Sequence, residues 1–214
     1  MRFYHKIETI YNRDTDGTKL LKVGDWRDPT VKYLANCKWN FTEKVDGTNT
    51  IVYWDGHAVS FGGRTERTDI PKELLEVLNN TFGTPEAEEL FEQTFGEKEV
   101  YLYGEGYGGK IQGGAGYNKP TSFILFDVVV GGNYQEREWV EKTAKMFGVD
   151  AVPVVLEGTL QDGIDFVMTH PKSVVGDTFM EGVVARPMVE LLDRRGRRVI
   201  VKIKWQDFGK LVTT

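Results

Sequence analysis

The chain has 214 residues, a formal net charge of −5, 40% hydrophobic residues and 12% aromatic residues. This composition supplies enough apolar side chains for a packed core, so it excludes a wholly disordered chain and a simple polycation that binds nucleic acid by charge alone. A single cysteine excludes an internal disulfide and a multi-cysteine zinc site, and no apolar run reaches the roughly 18 residues of a membrane helix.

Short strands dominate the pattern, because β-branched and aromatic residues cluster between turn residues. The strands predicted in chain order are 41–45, 48–54, 57–63, 99–105, 122–130, 181–187 and 199–205. The predicted helices are 71–82, 85–95, 134–147 (capped by Asn133) and 160–169. These elements do not alternate regularly, so we expect an α+β fold with antiparallel sheets, formed by residues 1–214 as a single domain.

The glycine-rich segment 104–110 fits the dinucleotide-binding fingerprint and the start of a phosphate-binding P-loop. Both motifs require a helix that begins on the glycines, because its N–H groups hold the phosphates. More glycines and a proline follow here, and Ile111 replaces the Ser or Thr of the P-loop. We therefore interpret the segment as a loop after a strand.

The most informative segment is TEKVDGTN, residues 42–49. Its Lys44-x-Asp46-Gly47 core could be a strand that ends in a turn. However, other polar residues follow in a set order: Arg64 after a strand, Glu105 at a strand end and Phe126 before Asp127 on another strand. The series ends with Glu181 on the predicted strand 181–187 and with Lys202 and Lys204 on the last strand, where alternation puts both on one face.

This ordered set resembles the covalent nucleotidyltransferases, which include ATP-dependent DNA ligases, RNA ligases and mRNA capping enzymes. Among them it is most similar to RNA ligases of the RNA ligase 2-like kind, since Glu43 precedes the lysine and Asn49 lies five residues after it. The resemblance implies the catalytic, adenylyltransferase domain of such enzymes, with two antiparallel sheets, flanking helices and the nucleotide between them. Members of this superfamily usually continue into a C-terminal OB-fold or helical accessory domain, and because the sequence ends ten residues after Lys204 we expect this chain to lack such a domain.

The resemblance implies a role for each residue of the series. Lys44 would be the catalytic nucleophile that captures AMP from ATP, and Glu181 would bind Mg²⁺ or Mn²⁺. The nucleotide-binding residues would be Glu43, Asn49, Arg64, Glu105, Phe126, Lys202 and Lys204. Physically, a lysine must be neutral to attack phosphorus, and nearby cations favour the neutral amine. Each residue also has a structural alternative: Phe126 as core, the two lysines as an edge-strand surface, and Glu181 as a cap or ion-pair partner.

These assignments predict an ATP-dependent ligase that joins RNA 3′-hydroxyl and 5′-phosphate ends. The alternatives are a DNA ligase, a capping-type guanylyltransferase that uses GTP, and a non-catalytic module that binds nucleotides or RNA ends. We expect a cytoplasmic monomer without membrane contact (in the host cytoplasm for a viral protein). Nucleic acid would be gripped by an accessory protein or by phosphate contacts from Arg194, Arg195, Arg197 and Arg198.

Overall fold

The computed structural model describes residues 1–15, 20–114 and 116–212. The chain divides into two compact units, each assembled from two separate stretches. The first unit contains Met1–His5 and Asp46–Val152, and the second unit contains Lys6–Val45 and Pro153–Thr214. The predicted extent of the catalytic domain, residues 1–214, stays a prediction.

Strands outnumber helices among the described residues. The strands are β1 (Glu8–Thr9), β2 (Tyr11–Arg13), β3 (Leu21–Trp26), β4 (Trp39–Glu43), β5 (Thr48–Trp54), β6 (Val59–Gly63), β7 (Val100–Tyr107), β8 (Ser122–Val130), β9 (Asn133–Tyr134), β10 (Asp150–Ala151), β11 (Val154–Gly158), β12 (Gly182–Pro187) and β13 (Val201–Lys204). The helices are α1 (Pro29–Tyr33), α2 (Lys72–Phe82), α3 (Pro85–Phe95), α4 (Arg137–Met146), α5 (Leu160–Met168) and α6 (Trp205–Val212).

The first unit is built on a sheet of strand order β10-β8-β7-β5-β6, with β9 paired to β8. Helices α2, α3 and α4 pack against one face of this sheet, where apolar side chains from both layers form a core. The opposite face carries a smaller cluster that includes Ile51 and Tyr103, and Tyr4 packs against it. The two faces therefore differ, because alternate residues of each strand point to opposite sides.

The second unit is built on a sheet of strand order β1-β13-β12-β4-β11. Strands β2 and β3 form a separate two-stranded antiparallel sheet. Trp39 and Phe41 of β4 are fully buried, and residues of α5, β12 and β13 complete the same apolar cluster. Each of the two large sheets is antiparallel except for one short parallel pair, β1 with β13 and β10 with β8. The predicted α+β fold with antiparallel sheets is confirmed.

Several predicted elements differ from the observed ones at their ends. The third predicted helix begins at Arg137, not after an Asn133 cap, and Glu136 holds the N-cap position. The reason is a tight turn through Gly131 and Gly132, both with positive φ, that returns Asn133 to the sheet as part of β9. The sequence also missed the short N-terminal strands and α6.

The glycine-rich segment 104–110 was interpreted as a loop, which is wrong for its first residues, although no helix begins there. Strand β7 extends through it to Tyr107, and a 3₁₀ turn follows at Ile111–Gly114. No α-helix begins on these glycines in the described chain, so the fingerprint and P-loop interpretations are excluded. No described helix has both the length and the apolar character needed to cross a bilayer.

Candidate active site

Three predicted site residues meet at one edge of the sheet in the second unit. Lys44 directly follows β4, Glu181 directly precedes β12, and Lys204 ends β13. Because β12 runs antiparallel to both neighbours, its start lies beside the ends of β4 and β13. The backbone N–H of Lys44 donates to the carbonyl of Gly182 at 2.9 Å, which fixes the lysine at this edge.

The three side chains form an ion cluster, called here the Lys–Glu–Lys cluster (Lys44, Glu181 and Lys204). The Nζ of Lys44 lies 2.5 Å from Oε2 of Glu181, and the Nζ of Lys204 lies 2.5 Å from its Oε1. The side chains are 26%, 17% and 19% exposed, respectively, so water screens them only in part. Charge-assisted hydrogen bonds in such surroundings are short and hold both ammonium groups on one carboxylate.

Two groups at this site, Glu181 and Lys202, have shifted pKa values. Burial opposes ionisation of Glu181, but the ammonium groups of Lys44 and Lys204 hold its pKa below the usual value. Burial lowers the pKa of Lys202, and the positive charges of Lys44 and Lys204 lower it further. Lys202 thus adds a third positive charge near the two that share Glu181, and the excess of positive charge suits a phosphate-bearing ligand.

Gly182 follows Glu181 for a steric reason. A Cβ at this position would lie 2.1 Å from the carbonyl oxygen of Ile203 and 2.7 Å from the Cα of Lys204. The strand that carries Lys204 can therefore approach Glu181 closely only because position 182 has no side chain. The glycine that follows Glu181 in the sequence is therefore required by this close contact between strands.

Glu43 lies in the interior of the second unit rather than beside Lys44 in the cluster. It is 2% exposed, and its carboxylate accepts hydrogen bonds from Ser173 Oγ at 2.5 Å and from the Val174 backbone N–H at 2.9 Å. The structure thus gives this side chain an anchoring contact with the segment before Glu181. Its predicted contact with a nucleotide stays a prediction.

The first unit brings three other predicted residues to one sheet face. Asn49 on β5 lies directly opposite Glu105 on β7. On β8 the register shifts between Asp127 and Leu125, so Phe126 is the extra residue of a β-bulge. Bulges redirect side chains, and Phe126 is half-buried, with its ring edge-on to Tyr4 at a centroid distance of 5.0 Å.

Two features of this face were not predicted. The Oδ1 atom of Asn49 is buried and has no hydrogen-bond partner in the described part of the chain. An orphaned buried acceptor is costly, so a ligand donor would satisfy it. The fully buried Asp127 accepts a hydrogen bond from the Tyr4 hydroxyl, a contact for which the sequence gives no local signal.

The remaining predicted cations differ in their surroundings. Arg64 is exposed and lies just after β6, and Arg194 and Arg195 are also exposed. Arg197 pairs with Asp193 and Asp28. Arg198, 3% exposed, forms two 2.7 Å hydrogen bonds to Glu190. Arg197 and Arg198 thus already pair with carboxylates of the chain, so they are less available to nucleic-acid phosphates. Their predicted phosphate contact stays a prediction.

The described residues could hold a divalent metal only if water or a substrate supplied some of its ligands. Among the described residues, no group of three or more His, Cys, Asp or Glu side chains could hold a metal ion. Glu181 nevertheless keeps acceptor capacity, because an ionised carboxylate has about four lone-pair sites and two are used by the lysines. Mg²⁺ commonly takes one or two carboxylates and completes its shell with water and substrate phosphates.

Comparison with known proteins defines first the fold and then the family. Three structures of variants of the Naegleria gruberi RNA ligase share the fold, each at 18% sequence identity. One without ligand gives a TM-score of 0.64 over 87% of this chain and 55% of that one. One structure with ATP and Mn gives a TM-score of 0.65 over 99% of this chain and 63% of that one. Another with ATP and Mn gives a TM-score of 0.67 over 98% of this chain and 58% of that one.

The chain therefore has the architecture of RNA-ligase nucleotidyltransferases and spans between 55% and 63% of the length of these solved structures. The family model described as RNA ligase matches residues 38–204. The chain belongs to the RNA ligase family, as the order of its motifs predicts. Among curated proteins, none matches it.

Proposed function

We propose that the chain is an ATP-dependent RNA ligase that joins 3′-hydroxyl and 5′-phosphate ends through an AMP adduct on Lys44. The observation that carries this proposal is the Lys–Glu–Lys cluster, in which one partly shielded lysine amine lies beside a carboxylate and further cations. A lysine alone would be an ordinary surface group. A lysine surrounded by phosphate-binding cations is suited to attack a nucleotide.

The first step would be attack by the amine of Lys44 on the α-phosphorus of ATP. The amine must first leave its ion pair with Glu181 and lose a proton. An N–P bond then forms, the bond between the α-phosphorus and the bridging oxygen breaks, and pyrophosphate departs. Lys202 and Lys204 would bind the phosphate oxygens, and their positive charge would orient the chain of phosphates.

The second and third steps would transfer and release AMP. A 5′-phosphate oxygen of RNA attacks the lysyl-AMP phosphorus, which breaks the N–P bond and frees Lys44. The 3′-hydroxyl of the other end then attacks the activated 5′-phosphate, and AMP leaves. Glu181 would hold Mg²⁺ or Mn²⁺, and a bound divalent metal would neutralise phosphate charge.

The sheet face of the first unit supports nucleoside binding. Glu105 offers a carboxylate for the ribose hydroxyls, and Phe126 offers a partly exposed ring for stacking on adenine. The orphaned Oδ1 of Asn49 fits a polar contact with the nucleotide, and the exposed Arg64 suits a phosphate. These roles agree with those that the sequence resemblance implies.

The decisive experiment is incubation with α-labelled ATP and Mg²⁺, followed by peptide mass mapping. We expect an AMP-sized addition on Lys44 and none in Lys44→Ala. Lys38→Ala, which removes an exposed lysine of the same unit, serves as the control and should label like the wild type. A wild-type protein without label, or a labelled Lys44→Ala variant, would refute the proposal.

A second set of reactions defines the substrate. Labelled GTP in place of ATP tests the capping-type alternative. Nicks with 3′-ribose or 3′-deoxyribose ends separate RNA from DNA sealing. An adduct that forms without sealing would mean that the grip on RNA comes from another segment or from an accessory protein.

A further inference from the structure

The segment 171–180, called here the 171–180 hairpin, is a compact structure that leads directly into Glu181. Its ends are joined by a hydrogen bond from the Met180 N–H to the Pro171 carbonyl at 2.9 Å. Inside it, Lys172 and Phe179 form an antiparallel bridge. The buried carboxylate of Glu43 fixes the turn through Ser173 and Val174. The hairpin is therefore attached firmly to the strand that precedes Lys44.

Three aromatic rings are stacked beside this hairpin. The ring of His170 lies between Phe179, at a centroid distance of 4.4 Å, and Trp205, at 3.8 Å, with interplanar angles of 20° and 13°. The backbone N–H of Trp205 donates to the Glu181 carbonyl at 3.0 Å. One end of the stack thus joins Glu181 in sequence through Met180, and the other end joins Lys204.

The backbone of His170, the middle ring of the stack, has an unfavourable conformation, and the outer ring exposes apolar surface to water. His170 has φ = 49°, a left-handed conformation that is unusual for a residue other than glycine. Such conformations persist where the surrounding structure imposes them, and they cluster at ligand-binding sites. Phe179 is 49% exposed, although a ring of this size is normally buried.

A cation covers the outer ring of the stack. The Nζ of the exposed Lys172 lies 3.9 Å from the ring centroid of Phe179. An ammonium on a flexible, solvated side chain can leave an aromatic face easily, and it then becomes available to a phosphate. An aromatic face beside a cation is the combination by which proteins bind single-stranded nucleic acid.

We propose that Phe179 and Lys172 form a contact site for the single-stranded end of the RNA substrate, with a base stacked on Phe179 and a backbone phosphate bound by Lys172. The inference rests on the proposed function, since it names a substrate contact for the same active site. The backbone links the site to the Lys–Glu–Lys cluster, because Phe179 lies just before Glu181 in sequence and the stacked Trp205 directly follows Lys204. The base contact is independent of sequence, because every base has a stacking face.

The test compares Phe179→Leu, Phe179→Tyr and Lys172→Ala with the wild type. Leucine keeps apolar bulk but removes the stacking face, whereas tyrosine keeps it. Binding of a fluorescent single-stranded RNA with a 5′-phosphate is measured by anisotropy over a series of salt concentrations. We expect Phe179→Leu to bind about tenfold more weakly, Phe179→Tyr to bind like the wild type, and Lys172→Ala to show a shallower salt dependence.

Adenylylation in the absence of RNA is measured for the same proteins, and all three variants should form the adduct at the wild-type rate. Tyr33→Ala, which removes an exposed ring of α1 in the same unit, is the matched control and should leave RNA binding unchanged. Wild-type RNA affinity in Phe179→Leu would overturn the inference, as would a wild-type protein that adenylylates but binds no RNA. Absence of the adduct in the wild type would instead refute the proposed function.

Discussion

The two units concentrate different physical properties in their candidate site residues. The second unit gathers charge: Lys44, Glu181 and Lys204 lie at the ends of adjacent strands and the two lysines share the carboxylate, while Lys202 lies within the last of these strands. The first unit gathers shape and hydrogen-bonding groups: Asn49 faces Glu105 across two strands, and a bulge displays Phe126. Under the proposed function, the charged surface would contact phosphates and the other surface would contact the nucleoside.

The comparison suggests that the chemistry and the recognition of the nucleotide are separable. Substitutions in the charged cluster should change the rate of phosphoryl transfer at saturating ATP. Substitutions on the first unit's sheet face should change the ATP concentration that is needed. Four predictions, ordered from the largest effect to the smallest, test or refine this division.

The largest effect is expected for Glu181→Gln. Glutamine keeps the size of the side chain but removes the negative charge that holds two ammonium groups and would hold the metal. We expect the rate of adduct formation at saturating ATP to fall about 10²–10³-fold, the usual scale for loss of one electrostatic group in an active site. Glu157→Gln, on the exposed side of β11, is the control. A rate within twofold of the wild type would contradict the central role of the cluster.

A smaller effect is expected for Glu43→Gln, which tests whether this residue anchors the hairpin or binds nucleotide. The amide group would place a donor where Ser173 and Val174 also donate, and it would leave one of them unpaired. We expect the free energy of unfolding in urea to fall by about 1–3 kcal/mol. Ser173→Ala removes a hydroxyl that donates to Glu43 and accepts from two backbone N–H groups of the same turn, so it should cost a similar amount. Unchanged stability with a raised KM for ATP would instead support the nucleotide contact.

Next in size is Phe126→Leu, which sharpens the comparison from the side of the first unit. Loss of the aromatic face should raise the KM for ATP about three- to tenfold, because aromatic stacking contributes about 0.5–1.5 kcal/mol beyond area burial. The rate at saturating ATP should hardly change. Phe61→Leu, whose side chain packs on the helix-covered face of the same sheet, provides the control. A lower saturating rate with the same KM would break the division between the units.

The smallest effect is expected on stability, from Lys202→Met. The pKa of Lys202 is lowered in the folded protein, so folding disfavours its charged form, and removal of the charge should stabilise the fold by about 0.5–1 kcal/mol at pH 7. Below the lowered pKa the wild type bears this cost in full. As the pH rises through that pKa towards the unfolded value of about 10.4, the cost disappears.

Urea unfolding of both proteins between pH 7 and pH 10 measures this difference, and the gap between the variant and the wild type should narrow as the pH rises. Lys38→Met, an exposed position in the same unit, should show no such gap. The same Lys202→Met variant should ligate poorly, since a phosphate-binding cation is lost. A variant that is less stable than the wild type at pH 7 would show that Lys202 is not held at a cost.

Much of the fold was predictable because its signals are local. The strand at 122–130 and the helix at 85–95 have the predicted bounds, since residue pattern, Pro85 and neighbouring glycines mark both ends. The prediction that Asn133 caps a helix was wrong, because Asn133 pairs with β8 as part of β9 although it is a favourable capping residue. Strands β1 and β2 have only two and three residues, too few to show a period, and Gly24 and Asp25 interrupt the six residues of β3, so the pattern missed all three.

The sequence by itself determined which chemical groups this protein has and in what order: a lysine near the end of one predicted strand, an acid at the start of another, and alternating lysines on the last strand. Tertiary structure alone decided their partners. Lys44 and Glu181, 137 positions apart, meet because antiparallel pairing aligns strand ends. The same long-range packing buried Glu43 against the hairpin and aimed Phe126 through a bulge. Strand register and burial depend on the whole sheet, so no local pattern encodes them.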